Sequence, residues 1–281
     1  MKVLGLECTK EFMNMANNGW LLGYHERNGG NLSYRMKQEE VDACREEFSF
    51  ERPWKPIGAK VPSLGGEYFM VTGSGKFFQN VLRKPEDSFC IAEIDEKGEN
   101  YRIVWGLVNG GRPTSEFPSH LMNHAVKKRV TNGAHRVIYH GHPVNVIALT
   151  FILPPDQVIW TREIWESMTE CPVIFPAGIG VVPWMVPGGE EIAIRTSELM
   201  EEYDLAIWYH HGMFASGDTF DNTFGLFHTV EKAAEILLKV MTCVPKKAQT
   251  ITPDNLRALM TDPNFSSMFP IELPEKYLYE K

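Results

Sequence analysis

The sequence predicts an α/β fold: a layered α/β/α single domain with a central, largely antiparallel sheet covered by helices. Three observations point that way. Short strand-like runs outnumber the β–α–β units that could join them in parallel. Between these runs recur longer segments with apolar residues at helical spacing. Across 281 residues there is no internal repeat or low-complexity tract, and 43% apolar residues suffice for one sizeable core. One domain spanning residues 1–281 is therefore expected, with a short, loose C-terminal tail from about residue 272.

In chain order, residues 8–24 carry apolar and polar positions at roughly helical spacing, and Gly23 marks the end of a first helix. Residues 26–34 read as a turn entering a strand, and 36–50 as helical. Pro53, Pro56, Gly58, Pro62, Gly65 and Gly66 then make an irregular connection. A strand over 68–72 leads into Gly73-Ser74-Gly75-Lys76, and further strands at 89–94 and 101–107 flank a charged turn with Gly98. The amphipathic pattern of 117–130 predicts a helix, and Asn132-Gly133 leads from it into a strand around His140. A strand is expected at 144–151, helices at 155–168 and 189–203, and strands at 173–175, 179–182 and 205–209. A long helix over 219–240 and a shorter one from Pro253 complete the pattern.

The formal net charge of −8 argues against a protein built to neutralise nucleic-acid phosphates, although a local pocket for a small anion stays possible. Five cysteines, odd in number and in no CxxC spacing, favour reduced thiols in the cytoplasm. The first twelve residues include acidic side chains and no long apolar core, so no signal peptide is expected. The longest apolar stretch, 144–153, is about half of what a bilayer requires, so no membrane span is expected either.

Chemistry concentrates in Val137-Ile138-Tyr139-His140-Gly141-His142. A strand points alternate side chains to opposite faces, so His140 and His142 present both imidazoles to one side. A third nitrogen ligand would complete a three-histidine site with an open position, the pattern of catalytic zinc. His211 follows a strand and precedes Gly212, with His210 as its competitor. For the pair alone, the ligand and surface readings stand level. His25, His120, His124, His135 and His228 get no more than the weight of any lone histidine, which is more often packed or solvated than a ligand.

Glu116 is the leading carboxylate partner and Glu170 the second. Helix capping is an equally good account of Thr114-Ser115-Glu116 at the mouth of a helix. Two glycine-rich turns, Asn28-Gly29-Gly30-Asn31 and Thr72-Gly73-Ser74-Gly75-Lys76, could hold a phosphate through backbone N–H groups, or could be ordinary turns. Neither has P-loop spacing, and there is no GxGxxG. Trp160, Trp165 and Phe151 are read as core packing before pocket walls.

Taken together, these segments resemble the class II aldolase/adducin family: Glu26-Arg27-Asn28-Gly29-Gly30-Asn31, Val71-Thr72-Gly73-Ser74-Gly75-Lys76-Phe77-Phe78, Pro113-Thr114-Ser115-Glu116, Val137 to His142, Pro183-Trp184-Met185-Val186-Pro187-Gly188 and His211-Gly212. The resemblance spans nearly the whole chain. It implies that His140, His142 and His211 bind one Zn²⁺ per subunit, that Glu116 is the acid/base, and that Glu170 lies beside the metal and assists proton transfer. It further implies a substrate phosphate site of Asn28, Asn31, Ser74, Gly75, Thr114 and Ser115, and a homotetramer. The implied reaction is retro-aldol cleavage of L-rhamnulose 1-phosphate to dihydroxyacetone phosphate and L-lactaldehyde. A fuculose-phosphate aldolase, a pentulose-phosphate 4-epimerase and a non-catalytic adducin-like module are the alternatives; epimerases of this type resemble the motif with aspartate at the position of Glu116.

Overall fold

The structure, a computed structural model, describes residues 1–279. One nine-stranded sheet organises it: β1 (Asn31–Arg35), β2 (Lys55–Pro56), β3 (Tyr68–Thr72), β4 (Phe89–Ile94), β5 (Asn100–Gly106), β6 (Val137–Gly141), β7 (Gly180–Val182), β8 (Leu205–Trp208) and β9 (Gly212–Gly217). The spatial order is β2-β5-β4-β3-β1-β6-β9-β8-β7, and every pairing is antiparallel except β7 with β8. The helices are α1 (Glu7–Leu21), α2 (Gln38–Cys44), α3 (Pro85–Ser88), α4 (Phe117–Val130), α5 (Val144–Leu149), α6 (Gln157–Trp165), α7 (Glu170–Ile174), α8 (Glu190–Leu199), α9 (Phe220–Cys243), α10 (Pro253–Thr261) and α11 (Pro263–Met268). This is the layered, largely antiparallel architecture that the excess of strands over crossovers predicts.

Strand alternation assigns the two faces. β1 sends Leu32 and Tyr34, and β6 sends Val137 and Tyr139, into the larger core under α1 and α9. On the opposite face Ile138 joins Phe214, Trp208 and Ile192 beneath α4 and α8. His140 lies on that second face, stacked on Phe214 with ring centroids 4.3 Å apart. β6 is therefore central in the sheet, and its last residues open beside the start of α4.

Two expected strands are helices. Residues 144–149 form α5, which buries Val146 and Leu149, three apart, as a helix face does. The Glu231 carboxylate of α9 accepts from the backbone N–H of Asn145 and of Val146, both at 3.0 Å, and from the Asn145 side chain at 2.8 Å. It thus satisfies donors that any helix start leaves unpaired and favours the positive end of the helix. Residues 173–175 fall at the end of α7, which packs on α9. Conversely β9, with three of its six residues Gly or Ser, carries too weak a strand pattern to be read from sequence, yet lies buried between β6 and β8.

The segment from 272, expected to be loose, is held against the body. Leu273, Tyr277 and Leu278 are buried, and Tyr277 meets Trp165 edge-on at 5.0 Å and donates to the Ala177 carbonyl at 3.2 Å. Residues 280 and 281 of that tail lie outside the described residues. Among the described residues no helix is long and apolar enough to cross a membrane, and all five cysteines are unpaired.

Candidate metal centre

His140 is set by its two neighbours in the sheet, opposite Asn31 of β1 and Phe214 of β9. Its Nδ1 lies 3.1 Å from the Met213 carbonyl oxygen. A carbonyl only accepts, so Nδ1 carries the proton and Nε2 keeps a lone pair. That Nε2 is buried with no hydrogen-bond partner among the described residues. His142, two residues on, repeats the arrangement: Nδ1 donates to both oxygens of Glu26, at 2.7 and 2.9 Å, and Nε2 is buried and unpartnered. Orphaned buried nitrogens are costly in a folded protein unless something fills them.

His211 comes from the turn between β8 and β9, with ring centroids 5.0 Å from those of both His140 and His142. The three rings offer ligand atoms that all lie within 4.8 Å of one another. His210 is turned away. Its backbone has φ +57°, the left-handed conformation the tight turn needs, and its ring bonds Thr150 at 2.9 Å and packs on Phe151. Gly212 has a specific cause: a Cβ there would meet the Gly141 carbonyl oxygen at 2.3 Å, so only glycine lets β9 close on the His142 end of β6. Burial pushes the His211 pKa down to about 4 and that of His140 well below its usual value, which keeps both rings neutral as metal ligands must be.

These residues fit a divalent cation. Three imidazoles, two with their second nitrogen bonded to an acceptor as metal-ligating histidines characteristically are, leave room for substrate. Glu26→Gln should weaken metal affinity by roughly 10–100-fold through loss of the carboxylate behind His142. Zinc titration against a competing chelator measures it; unchanged affinity would remove Glu26 from the centre.

Glu116 precedes α4, is 8% exposed, and places Oε2 at 3.7 Å from His140 Nε2. It is not a capping side chain, since it makes no cap hydrogen bond. Its Oε2 accepts from Asn31 Nδ2 at 2.8 Å. Burial raises its pKa, against the lowering influence of Asn31 and His142.

A cavity of about 260 Å³ joins the centre to the glycine-rich turns. His140, His142, His211 and Glu116 line it, as do Asn28, Asn31, Ser74, Gly75, Thr114 and Ser115, with Pro187, Gly188 and the glycines of the two turns completing it. The second turn reaches it because Ser74 N bonds Arg112 O and Thr114 N bonds Thr72 O, both at 2.9 Å, which stitches two distant segments side by side. Asn31 touches the cavity, but both ends of its carboxamide are engaged, one on Glu116 and one on His120. It keeps one N–H to offer a ligand.

Glu170 is the exception. It stands exposed at the start of α7 and is not among the residues lining the cavity, so one chain does not bring it to the three histidines. Trp160 and Trp165 are buried in the core, while Phe151 is 74% exposed, outside it. Glu26, His25, His120 and Ser33 support this site from positions that a reading of the sequence alone does not single out. His25 lies beneath the first turn, with Nδ1 3.1 Å from Gly29 O and Nε2 2.6 Å from the Tyr139 hydroxyl. The available signal was spacing: Glu116, His120 and His124 recur every four residues, opposite Asn31 and Ser33 two apart.

Burial also pushes His25 and His120 down to about 3, and His124 well below the usual 6.5. The unfolded chain protonates these rings below 6.5 while the folded one refuses, so stability is full above that pH and falls as pH drops toward 3. Each ring can cost up to ~1.4 kcal/mol per pH unit in that window. Urea midpoints of metal-free protein should therefore fall steadily from pH 7 to pH 5; a flat profile would contradict neutral buried histidines.

The family model for the class II aldolase and adducin N-terminal domain matches residues 10–238. A rhamnulose-1-phosphate aldolase of Mannheimia succiniciproducens is 48% identical over 240 residues, covering 85% of this chain and 88% of that one. One of Escherichia coli O139:H28 is 44% identical over 244 residues, covering 87% and 89%. Among solved structures, a sugar-phosphate aldolase from Thermotoga maritima superposes with a TM-score of 0.73 at 29% identity, over 86% of this chain and 97% of that one. An L-fuculose-1-phosphate aldolase from Thermus thermophilus shares the fold, with a TM-score of 0.56 at 22% identity over 84% and 95%. With the metal-ready histidines, the buried glutamate and the turns all on one cavity, and with these relatives covering most of its length, the chain belongs to the class II aldolase and adducin family.

Proposed function

We propose that the chain is a zinc-dependent aldolase that cleaves L-rhamnulose 1-phosphate to dihydroxyacetone phosphate and L-lactaldehyde, in the cytoplasm and in rhamnose catabolism. One observation carries the reading. A single cavity of about 260 Å³ is lined by His140 and His142, whose Nε2 atoms are buried without a partner among the described residues, by the buried Glu116 carboxylate, and by hydroxyl- and amide-bearing turns. The names of the 44–48% identical relatives point to the same substrate.

His140, His142 and His211 would hold the ion, which when bound serves as a Lewis acid for the negative charge that carbon–carbon cleavage leaves on the ketose oxygens. Glu116 moves a proton to and from the dihydroxyacetone carbon, a task that suits a carboxyl whose pKa burial has raised. Thr114 and Ser115 precede the N-terminus of α4, whose positive end favours an anion, and Ser74, Gly75 and Asn28 face the same space. We assign them to the phosphate, with Asn31 contributing its remaining N–H. A role for Glu170 requires a second copy of the chain to deliver it, in keeping with the homotetramer that the family resemblance implies.

A coupled assay for dihydroxyacetone phosphate tests the reading, with L-rhamnulose 1-phosphate, L-fuculose 1-phosphate and ribulose 5-phosphate compared with and without chelator. Rapid, chelator-sensitive release from the first is expected. Preference for the second, epimerisation of the third without aldehyde, or no bound divalent ion and no response to zinc would overturn it.

A further inference from the structure

We propose that His120, Ser33 and His124 are positioning residues for Glu116: they form a one-way chain of hydrogen bonds that holds the Asn31 carboxamide with its N–H toward the carboxylate. The inference rests on Glu116 being the acid/base of the proposed reaction.

The chain arises where two periodicities meet. Asn31 and Ser33 leave β1 on the same face because strand side chains alternate. Glu116, His120 and His124 follow one another at intervals of four, along one side of α4. Ser33, His120 and His124 are completely buried, and Asn31 is 5% exposed.

Direction follows from what each group can do. A carboxylate only accepts, so Asn31 Nδ2 is the donor to Glu116 Oε2 at 2.8 Å. That leaves Asn31 Oδ1 to accept from His120 Nε2–H. Neutral imidazole has one N–H, so His120 Nδ1 accepts from the Ser33 hydroxyl at 2.6 Å. Ser33, its proton spent, accepts from His124 Nε2–H at 2.8 Å. Every donor points toward Glu116, and the chain ends at His124 Nδ1, a buried lone pair without a partner. Reversing it would place an N–H at that dead end and turn Asn31 Oδ1 against the carboxylate. A buried unpaired donor is rarer than an unpaired acceptor, so the dead end itself selects the direction. Burial, which pushes His120 down to about 3, keeps the ring neutral as the scheme needs.

Apolar side chains of similar size would fill this space as stably as four linked polar ones, so packing alone does not explain them. What the chain supplies is orientation. Asn31 is pinned in one of its two flip states, and Glu116 is kept beside His140 instead of rotating toward solvent.

Five proteins test this: the parent, His120→Leu, Asn31→Ala, the double variant, and His120→Gln as a conservative control that keeps an N–H where the ring has Nε2. His120→Leu should lower kcat roughly tenfold, with KM within about twofold and zinc content unchanged. His120→Gln should recover most of the loss. In the Asn31→Ala background His120→Leu should add nothing, since the effect travels through Asn31. Effects that multiply, or full kcat in His120→Leu, would overturn the proposal. Independently of turnover or folding of the variants, ¹⁵N magic-angle-spinning spectra of histidine-labelled parent protein should show His120 protonated on Nε2 alone; a proton on Nδ1 would overturn it. Failure of the acid/base reading looks different: a fully active Glu116→Gln with the His120 tautomer as expected.

Discussion

Glu116→Gln is expected to reduce kcat by a factor of ~10²–10⁴, the span that general acid–base catalysis commonly supplies. Glutamine is close to isosteric, and its side-chain oxygen can still accept the Asn31 N–H that holds the carboxylate at 2.8 Å, so the cavity should keep its shape. The three imidazoles are untouched, and zinc should remain bound. What disappears is the only function glutamine cannot copy, the exchange of a proton. Two measurements separate this from a general disturbance. Zinc content should match the parent, and deuterium exchange from solvent into dihydroxyacetone phosphate, which needs the proton transfer at carbon but no carbon–carbon bond cleavage, should fall with turnover. A variant that cleaves slowly but exchanges at the parent rate would move the acid/base role to another group.

Removal of the ion is expected to cost about as much. Dialysis against chelator, or His140→Ala, should lower activity by ~10³-fold or more, because loss of Lewis-acid stabilisation is worth several kcal/mol. Zinc should restore the dialysed parent fully. The alanine variant should stay inactive at stoichiometric zinc, since two imidazoles alone hold the ion weakly. His140 is the informative choice: it is the most deeply buried of the three histidines, and its Nε2 is the one nearest Glu116. Activity that survives both treatments would end the metal reading.

Local order was legible wherever neighbours in sequence share one cause. The His140/His142 pair, the helix over 117–130 and the glycine turns follow from spacing and turn chemistry, and the structure has them as predicted. Residues 144–151 are ambiguous in sequence because a short, mostly apolar run, interrupted only by Asn145 and Thr150, has too little periodicity to tell strand from helix. Its first six residues became a helix once a carboxylate from α9 took up the first donors. His25, His120 and His124 looked like ordinary histidines because each one's partners come from another part of the chain.

The sequence by itself therefore determined which residue types could hold a metal and a phosphate, and on which side of a strand or turn they would stand. Periodicity is a property of adjacent residues, and it survives in any fold. Only the tertiary structure decided that His211 and not His210 joins His140 and His142, that Glu116 lines the cavity without capping a helix, that Asn31 bonds the glutamate, and that Glu170 stays outside the cavity within one chain. Each of those outcomes turns on which segments the fold brings together and which polar atoms it buries, and neither exists until the chain has folded.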